Sequence, residues 1–505
     1  MAGVNPARQT TVESSVPMLR RSLETQPAWW ALAALAVLTA VRLALAAVLP
    51  LAPDEAYCWI WSRALAPGYF DHPPVVALWI RASTALFGDG AFGVRTLGPI
   101  SGAIGSALLW FAAERLFPRT GLLAAALLNA TLLFGVGSIV MTPDSPLLFF
   151  WICAMAALAQ IVAGRSGWWW LAVGLFTGAA LASKYTALLL AVAIVLWLLA
   201  SERRWLGRPE PYLGGLVALA VFAPVLWWNI AHGWRSFAKQ GERLLAWHGG
   251  RALQFEAELF GGQIGLLTPL VFLFCAAGML LAARIAWRTR EPRWTLLALL
   301  GGIPALVFIE HALADRVQAN WPAIIYPAAA IAGAKLQGNF WRKLRTPAIA
   351  LGFGLTTFVY VQAVFAPVPI PVRQDATAIR LGGWPELAAQ VDAARRAAGV
   401  RFVAADEYGL VAELARQLPS DVPVLGIEPR WTLFDLPTRD ISGQTGLLVR
   451  SERRRDDPPS SLWQDTADVG GGERRSGSQV IERYRFEHVT AKGAAIATVL
   501  PSRGN

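Results

Sequence analysis

The chain is short of charge, has no paired cysteines, and lacks the glycine patterns that cradle nucleotide phosphates. Only 16% of its 505 residues are Asp, Glu, Lys or Arg, where a soluble globular chain carries about a quarter. That deficit excludes an ordinary soluble enzyme. Cys58, Cys153 and Cys275 lie in or beside apolar segments without paired or metal-type spacing, so no disulfide framework is expected. A Walker loop, a dinucleotide fingerprint and an internal repeat are all missing, which leaves ATP-driven transport without support.

What the chain has instead is apolar bulk. Hydrophobic residues make up 55% of it, with 23 Trp and 23 Phe, and its mean hydropathy is +0.44. Apolar runs of about 20 residues, each long enough to cross a bilayer, recur from Ala28 to Phe365. The fold class expected is an all-α polytopic membrane protein with about eleven transmembrane helices, at roughly 28–49, 91–113, 121–137, 145–163, 167–183, 185–200, 212–231, 263–283, 294–310, 321–335 and 346–366. The stretch 74–87 is too short to span and reads as a juxtamembrane helix. Residues 1–27 form a polar tail, with Arg20 and Arg21 just before an uncleaved first helix.

A net charge of +11 suggests nucleic acid until the cations are located. Arg115 and Arg119, Arg165, Arg203, Arg204 and Arg208, the arginines 284–293 and the cations 335–345 sit in short alternate connections. Such a bias marks the cytoplasmic side of a membrane protein. The opposite side then receives the loop 50–90, the segment 138–144, the turn at Lys184, the loop 232–262 and residues 311–320. All five histidines and the unusual acids fall there. After Pro371 the composition becomes that of a soluble domain. Helices at 384–398 and 407–417 and strands at 401–405, 422–427 and 446–449 predict a small α/β domain (367–505) on the outer face. Residues 451–479, rich in Arg, Asp, Pro, Ser and Gly, read as a mobile loop within it.

Chemistry is concentrated in residues 54–74. Asp54, Glu55, Asp71 and His72 follow the first span directly, and Tyr57, Trp59 and Trp61 suit a helix in the headgroup layer. Gly68 can end that helix and Pro73-Pro74 can open the next. Acids at a membrane edge are costly and tend to be kept for chemistry or transport. An acid there can serve as base, while Asp71, His72 and Asp144 can hold a divalent ion or orient ligands. Plainer roles stay open: Asp144 can cap a helix, Lys184 can snorkel, and Arg316 can anchor a membrane edge. Arg42, in the first span, has no account from the sequence.

Five motifs, Asp54-Glu55-Ala56-Tyr57, Gly68-Tyr69-Phe70-Asp71-His72-Pro73-Pro74, Thr142-Pro143-Asp144, Ser183-Lys184-Tyr185 and Asn320-Trp321-Pro322, together resemble the GT-C membrane glycosyltransferases. The resemblance is to the bacterial branch related to protein O-mannosyltransferases and to aminoarabinose or galacturonic acid lipid A transferases, and covers residues 28–366, the expected transmembrane catalytic domain. It implies a polyprenyl-phosphate-linked sugar as donor, transfer to a cell-envelope acceptor (lipid A or another glycan, lipid or protein), and a site on the periplasmic face of the bacterial inner membrane. By position, Asp54 is the expected general base with Glu55 beside it. Lys184, Arg316, His72 and Tyr57 are the expected donor-phosphate set, and Asp144 and Asp71 the second carboxylates or metal ligands. His72 stands where the aminoarabinose transferases have a phosphate-contacting lysine, which ties that contact to histidine protonation. A divalent metal ion is admitted as cofactor, and neither a nucleotide cofactor nor a nucleic-acid partner is expected. The competing class is a multi-pass transporter or flippase of lipid-linked glycans, which would place polar groups along a path through the spans.

Overall fold

The computed structural model describes residues 29–245 and 249–503. The tail 1–27 and His248 lie outside the described residues. In chain order the helices of the first part are α1 (Trp29–Val48), α2 (Pro53–Arg63), α3 (Val75–Phe87), α4 (Ala91–Leu116), α5 (Gly121–Asn129), α6 (Leu132–Gly137), α7 (Asp144–Val162) and α8 (Trp169–Leu181). They continue with α9 (Tyr185–Ser201), α10 (Pro209–Ala231), α11 (Arg235–Leu245), α12 (Ala252–Leu267), α13 (Pro269–Thr289), α14 (Pro292–Ala314), α15 (Trp321–Ala334) and α16 (Asn339–Phe365). Among the described residues seven are long and apolar enough to cross a membrane: α1, α4, α7, α10, α13, α14 and α16. Their sequences are apolar on most faces, as a helix bathed in lipid requires.

Two expectations about the helices need correction. The segment 121–137 is two short helices, because Thr131 turns out of the helix and its Oγ1 accepts the Phe134 N–H at 3.0 Å, capping a new start. The connection 232–262 is largely helical, as α11 and the first part of α12. In addition α2 ends at Arg63, well before Gly68.

Arg42 acquires a structural account. It is fully buried, donates from Nη1 to Asn129 Oδ1 at 3.1 Å and lies 5.4 Å from the Phe134 ring centroid. Asn129 in turn donates to Ser106 Oγ at 2.8 Å. This polar chain links α1, α4 and α5 inside the bundle, away from lipid.

The C-terminal domain contains α17 (Ala376–Leu381), α18 (Trp384–Ala397), β1 (Phe402–Ala405), α19 (Tyr408–Gln417), β2 (Val424–Gly426), β3 (Thr438–Asp440), β4 (Thr445–Ser451), β5 (Trp463–Ser476), β6 (Gln479–Ala491) and β7 (Ile496–Val499). The strands form one mixed sheet in the order β3-β7-β2-β1-β4-β6-β5. β1 runs parallel to β2 and β4, and the remaining pairs are antiparallel. Much of the expected mobile loop 451–479 is strand β5. Its polar composition belongs to an exposed hairpin whose charges pair across the strands: Glu473 with Arg483 at 2.9 Å and Arg474 with Glu482 at 3.3 Å.

The two parts share a core. Tyr57, Cys58, Ile60 and Trp61 of α2 pack in one buried cluster with Leu410, Val411 and Leu414 of α19 and with Trp431. Gly409 is needed at that contact, since a Cβ there would come within 2.9 Å of the Pro53 Cβ.

Candidate active site

α2 starts sharply. Pro53 fits the first helical position, where its missing N–H costs nothing, and Asp54 and Glu55 face the positive end of the helix dipole. Positions 54, 57 and 61 share a helical face, and Asp54, Tyr57 and Trp61 all line a cavity of about 630 Å³. The other expected motifs meet at the same cavity: Asp71 and His72 from the turn before α3, Thr142, Pro143 and Asp144 from the start of α7, Lys184 from the turn between α8 and α9, and Arg316, Asn320 and Trp321 from the segment between α14 and α15.

Glu55 is the expected residue that does not line this cavity. It is fully buried on another face of α2 and accepts four hydrogen bonds. Arg95 donates to it at 2.7 and 2.5 Å, the Met141 N–H at 2.9 Å and the Ala52 N–H at 3.0 Å. Arg95 also holds the carbonyls of Leu49 and Pro50, both at 2.7 Å. Glu55 thus stands apart from the cavity that Asp54 lines. This carboxylate ties the end of α1, the start of α2, α4 and the segment before Asp144 together.

Asp144 and Lys184 form the centre of one wall. Lys184 Nζ donates to Asp144 Oδ1 at 2.6 Å, and Asn320 Nδ2 donates to Oδ2 at 2.7 Å. The Lys184 ammonium also lies 5.9 Å from the Trp321 ring centroid. Arg316 is more exposed, at the rim, and donates from Nε to Glu258 at 2.5 Å. A second cluster in the lining is built on Asp71, which pairs with Lys239 of α11, with Arg430 at 3.2 Å and with the Tyr57 hydroxyl at 2.7 Å. Burial opposes ionisation of Asp71, yet Lys239 and Arg430 outweigh it and hold the carboxyl below its ordinary range. Burial, reinforced by Asp71, raises the Tyr57 phenol well above its ordinary value, so it remains a proton donor.

Lys239, Arg380, Tyr408 and Arg430 also line the cavity, and none was expected. Asp54 accepts from the Tyr408 hydroxyl at 3.0 Å and from Arg380 at 3.3 Å. Lys239 carries a faint sequence signal, a polar stretch of helical composition at 235–245. The other three come from the C-terminal domain, and nothing local in their sequence marks them.

His72 is half-buried beside this cluster, and its buried Nδ1 has no hydrogen-bond partner. Burial pushes the imidazole down to about 3 from 6.5, Lys184 adds to the effect, and Asp71 and Asp144 oppose it. It faces the cavity as a neutral ring. Between those two values the unfolded chain binds a proton here that the folded chain does not. Stability therefore rises with pH across that window and is lost as pH falls through it, by up to about 1.4 kcal/mol per pH unit. His72→Asn is expected to flatten this acid dependence, measured as unfolding midpoints between about pH 4 and about pH 7. An unchanged slope would remove His72 as its source.

The residues do not suit a divalent ion. Both oxygens of Asp144 and of Asp71 are occupied by cationic or amide donors. Among the described residues no three His, Cys, Asp or Glu side chains come together in a way that could hold a metal.

Residues 71–228 match the dolichyl-phosphate-mannose-protein mannosyltransferase family. The lipid A galacturonosyltransferase RgtD of Rhizobium johnstonii is 28% identical over 372 residues, 72% of this chain and 76% of that protein. The undecaprenyl phosphate-alpha-4-amino-4-deoxy-L-arabinose arabinosyl transferase of Pseudomonas aeruginosa is 32% identical over 182 residues, 34% of this chain and 32% of that protein. In structure the chain resembles ArnT from Cupriavidus metallidurans bound to undecaprenyl phosphate, with a TM-score of 0.62 at 16% identity over 92% of this chain and 98% of that one. That last likeness is one of fold. Together with the sequence similarity to these transferases, that fold makes the chain a membrane glycosyltransferase of the GT-C class. Within that class the chain is related to the protein O-mannosyltransferases and to the aminoarabinose and galacturonic acid transferases.

Proposed function

We propose that this enzyme moves a sugar from a polyprenyl-phosphate-linked donor to lipid A or another cell-envelope acceptor, on the periplasmic face of the bacterial inner membrane. The observation that carries it is the meeting of five separated motifs in one cavity, lined by Asp54 and by the Lys184–Asp144 pair. Asp54 takes the proton of the acceptor hydroxyl as that oxygen attacks the anomeric carbon. The bond from that carbon to the donor phosphate breaks, and Lys184 and the rim Arg316 stabilise the departing phosphate anion. Attack on the face opposite the phosphate inverts the anomeric centre. The lipid tail of such a donor stays in the bilayer, so a cavity at the ends of the spans meets its phosphate without extraction. Seven long helices, the α5–α6 pair and the shorter α8, α9 and α15 give eleven crossings in this reading. The cationic connections then fall on the cytoplasmic side and the cavity on the other.

The test uses purified full-length protein, lipid A as acceptor, and undecaprenyl-phosphate-linked galacturonic acid or 4-amino-4-deoxy-L-arabinose as donor, the sugars handled by the named relatives. Product is followed by mass spectrometry. Lys184→Ala is expected to weaken undecaprenyl phosphate binding by about tenfold to a hundredfold. Movement of intact donor across vesicles, with no transfer to any envelope extract, would instead favour the transporter class.

A further inference from the structure

The hydrogen-bond donors on Asp54 share an unexpected origin. Its two oxygens accept from Tyr408 at 3.0 Å and Arg380 at 3.3 Å. Both residues belong to the C-terminal domain, and both line the cavity. The same domain sends Arg430 to Asp71. The cavity is thus assembled across two domains, and the carboxylate expected to take the acceptor proton is oriented from the soluble side.

Tyr408 is well placed for the task. It sits at the first position of α19, next to Gly409, whose lack of a Cβ lets that helix close on Pro53 beside Asp54. Its ring packs on Tyr57 with centroids 4.6 Å apart, and the Arg430 guanidinium lies 4.5 Å from its centroid. Burial, with Asp54 adding to it, raises the Tyr408 phenol above its ordinary range, so the hydroxyl keeps its proton and donates. Arg380, on α17, is more exposed and reaches the other oxygen. A carboxylate held at both oxygens has one preferred orientation. A base acts efficiently only when its lone pair points at the proton it takes.

We propose that Tyr408 and Arg380 are positioning residues for Asp54, so that the C-terminal domain completes the active site and is not an appendage to it. This inference rests on the transferase reading above. It assigns the two residues no contact with the reacting atoms. Their effect should therefore fall on turnover, with binding of the donor lipid spared.

The experiment compares Tyr408→Phe, Arg380→Gln and Asp54→Asn in the full-length protein. It measures kcat and donor KM in the transfer assay and, separately, binding of undecaprenyl phosphate. Tyr408→Phe keeps the ring and its packing and removes only the donor. It should lower kcat about tenfold or more, the worth of one hydrogen bond to a charged group, with KM and undecaprenyl phosphate binding within about twofold of wild type. Arg380→Gln should fall in the same direction, and Arg380→Lys, which restores a charged donor, should recover part of the loss. Tyr408→Leu separates positioning from packing: a purely structural Tyr408 leaves Tyr408→Phe at wild-type kcat and damages only Tyr408→Leu. That result, with Asp54→Asn inactive, overturns this inference and spares the transferase reading. Full activity in Asp54→Asn removes Asp54 as the base and overturns this inference, whereas a wild-type protein that transfers no sugar overturns the transferase reading.

Discussion

Asp54→Asn should reduce transfer by about a hundredfold to ten-thousandfold, the range typical for losing a general base, while the protein folds and binds undecaprenyl phosphate as before. Asparagine has the shape of aspartate and still accepts from Tyr408 with its remaining oxygen, so the contacts between α2 and α19 persist. The side chain of Asp54 is 44% exposed and lies outside the buried core, which limits any effect on stability. Activity and stability should therefore separate cleanly in this variant. Transfer assays beside thermal unfolding in detergent check this. Turnover close to wild type would remove Asp54 from the chemistry.

One residue further along, the expectation reverses. Glu55→Ala should destabilise the fold by about 3–5 kcal/mol, the cost of leaving one member of a buried ion pair without its partner. Arg95 is as deeply buried as Glu55, and their side chains are 1% and 0% exposed. Removing the carboxylate also strands the N–H groups of Ala52 and Met141. Because Met141 leads directly to Asp144, the damage should spread to the Lys184–Asp144 wall. A lowered unfolding temperature and poor recovery of monodisperse protein are the expected readouts. Glu55→Gln, which retains an acceptor and the shape, should fall between wild type and alanine. A Glu55→Ala protein of normal stability that binds the donor and fails to transfer would support the catalytic role expected from the sequence.

The contrast between these neighbours shows where local information stops. An acid pair at the start of a helix is visible in the sequence, and so is the 54, 57, 61 spacing that puts Asp54 on one face with Tyr57 and Trp61. That spacing alone sets Glu55 off this face. The meaning of the other face was not visible, because Arg95 reaches Glu55 across 40 positions of chain. Thr131 is a similar case. A threonine within an apolar run fits an unbroken span or a new cap equally well, and the contacts around it decide. In the C-terminal domain the short apolar runs that mark β1, β2 and β4 were legible. β5 was not, since its charges are neutralised only by a partner strand.

By itself the sequence determined what short-range physics controls: apolar runs long enough to cross a membrane, short connections that carry the cations, and five polar motifs at the ends of those runs. The tertiary structure alone decided which of those polar groups face one another. It turned Glu55 inward to Arg95, brought Lys239 and Arg430 to Asp71, and set Tyr408 and Arg380 of a separate domain on Asp54. Contacts spanning 40 to 359 positions of chain have no periodicity to betray them. They arise only when shared apolar surfaces, here α2 against α19, bring distant polar groups within hydrogen-bonding distance.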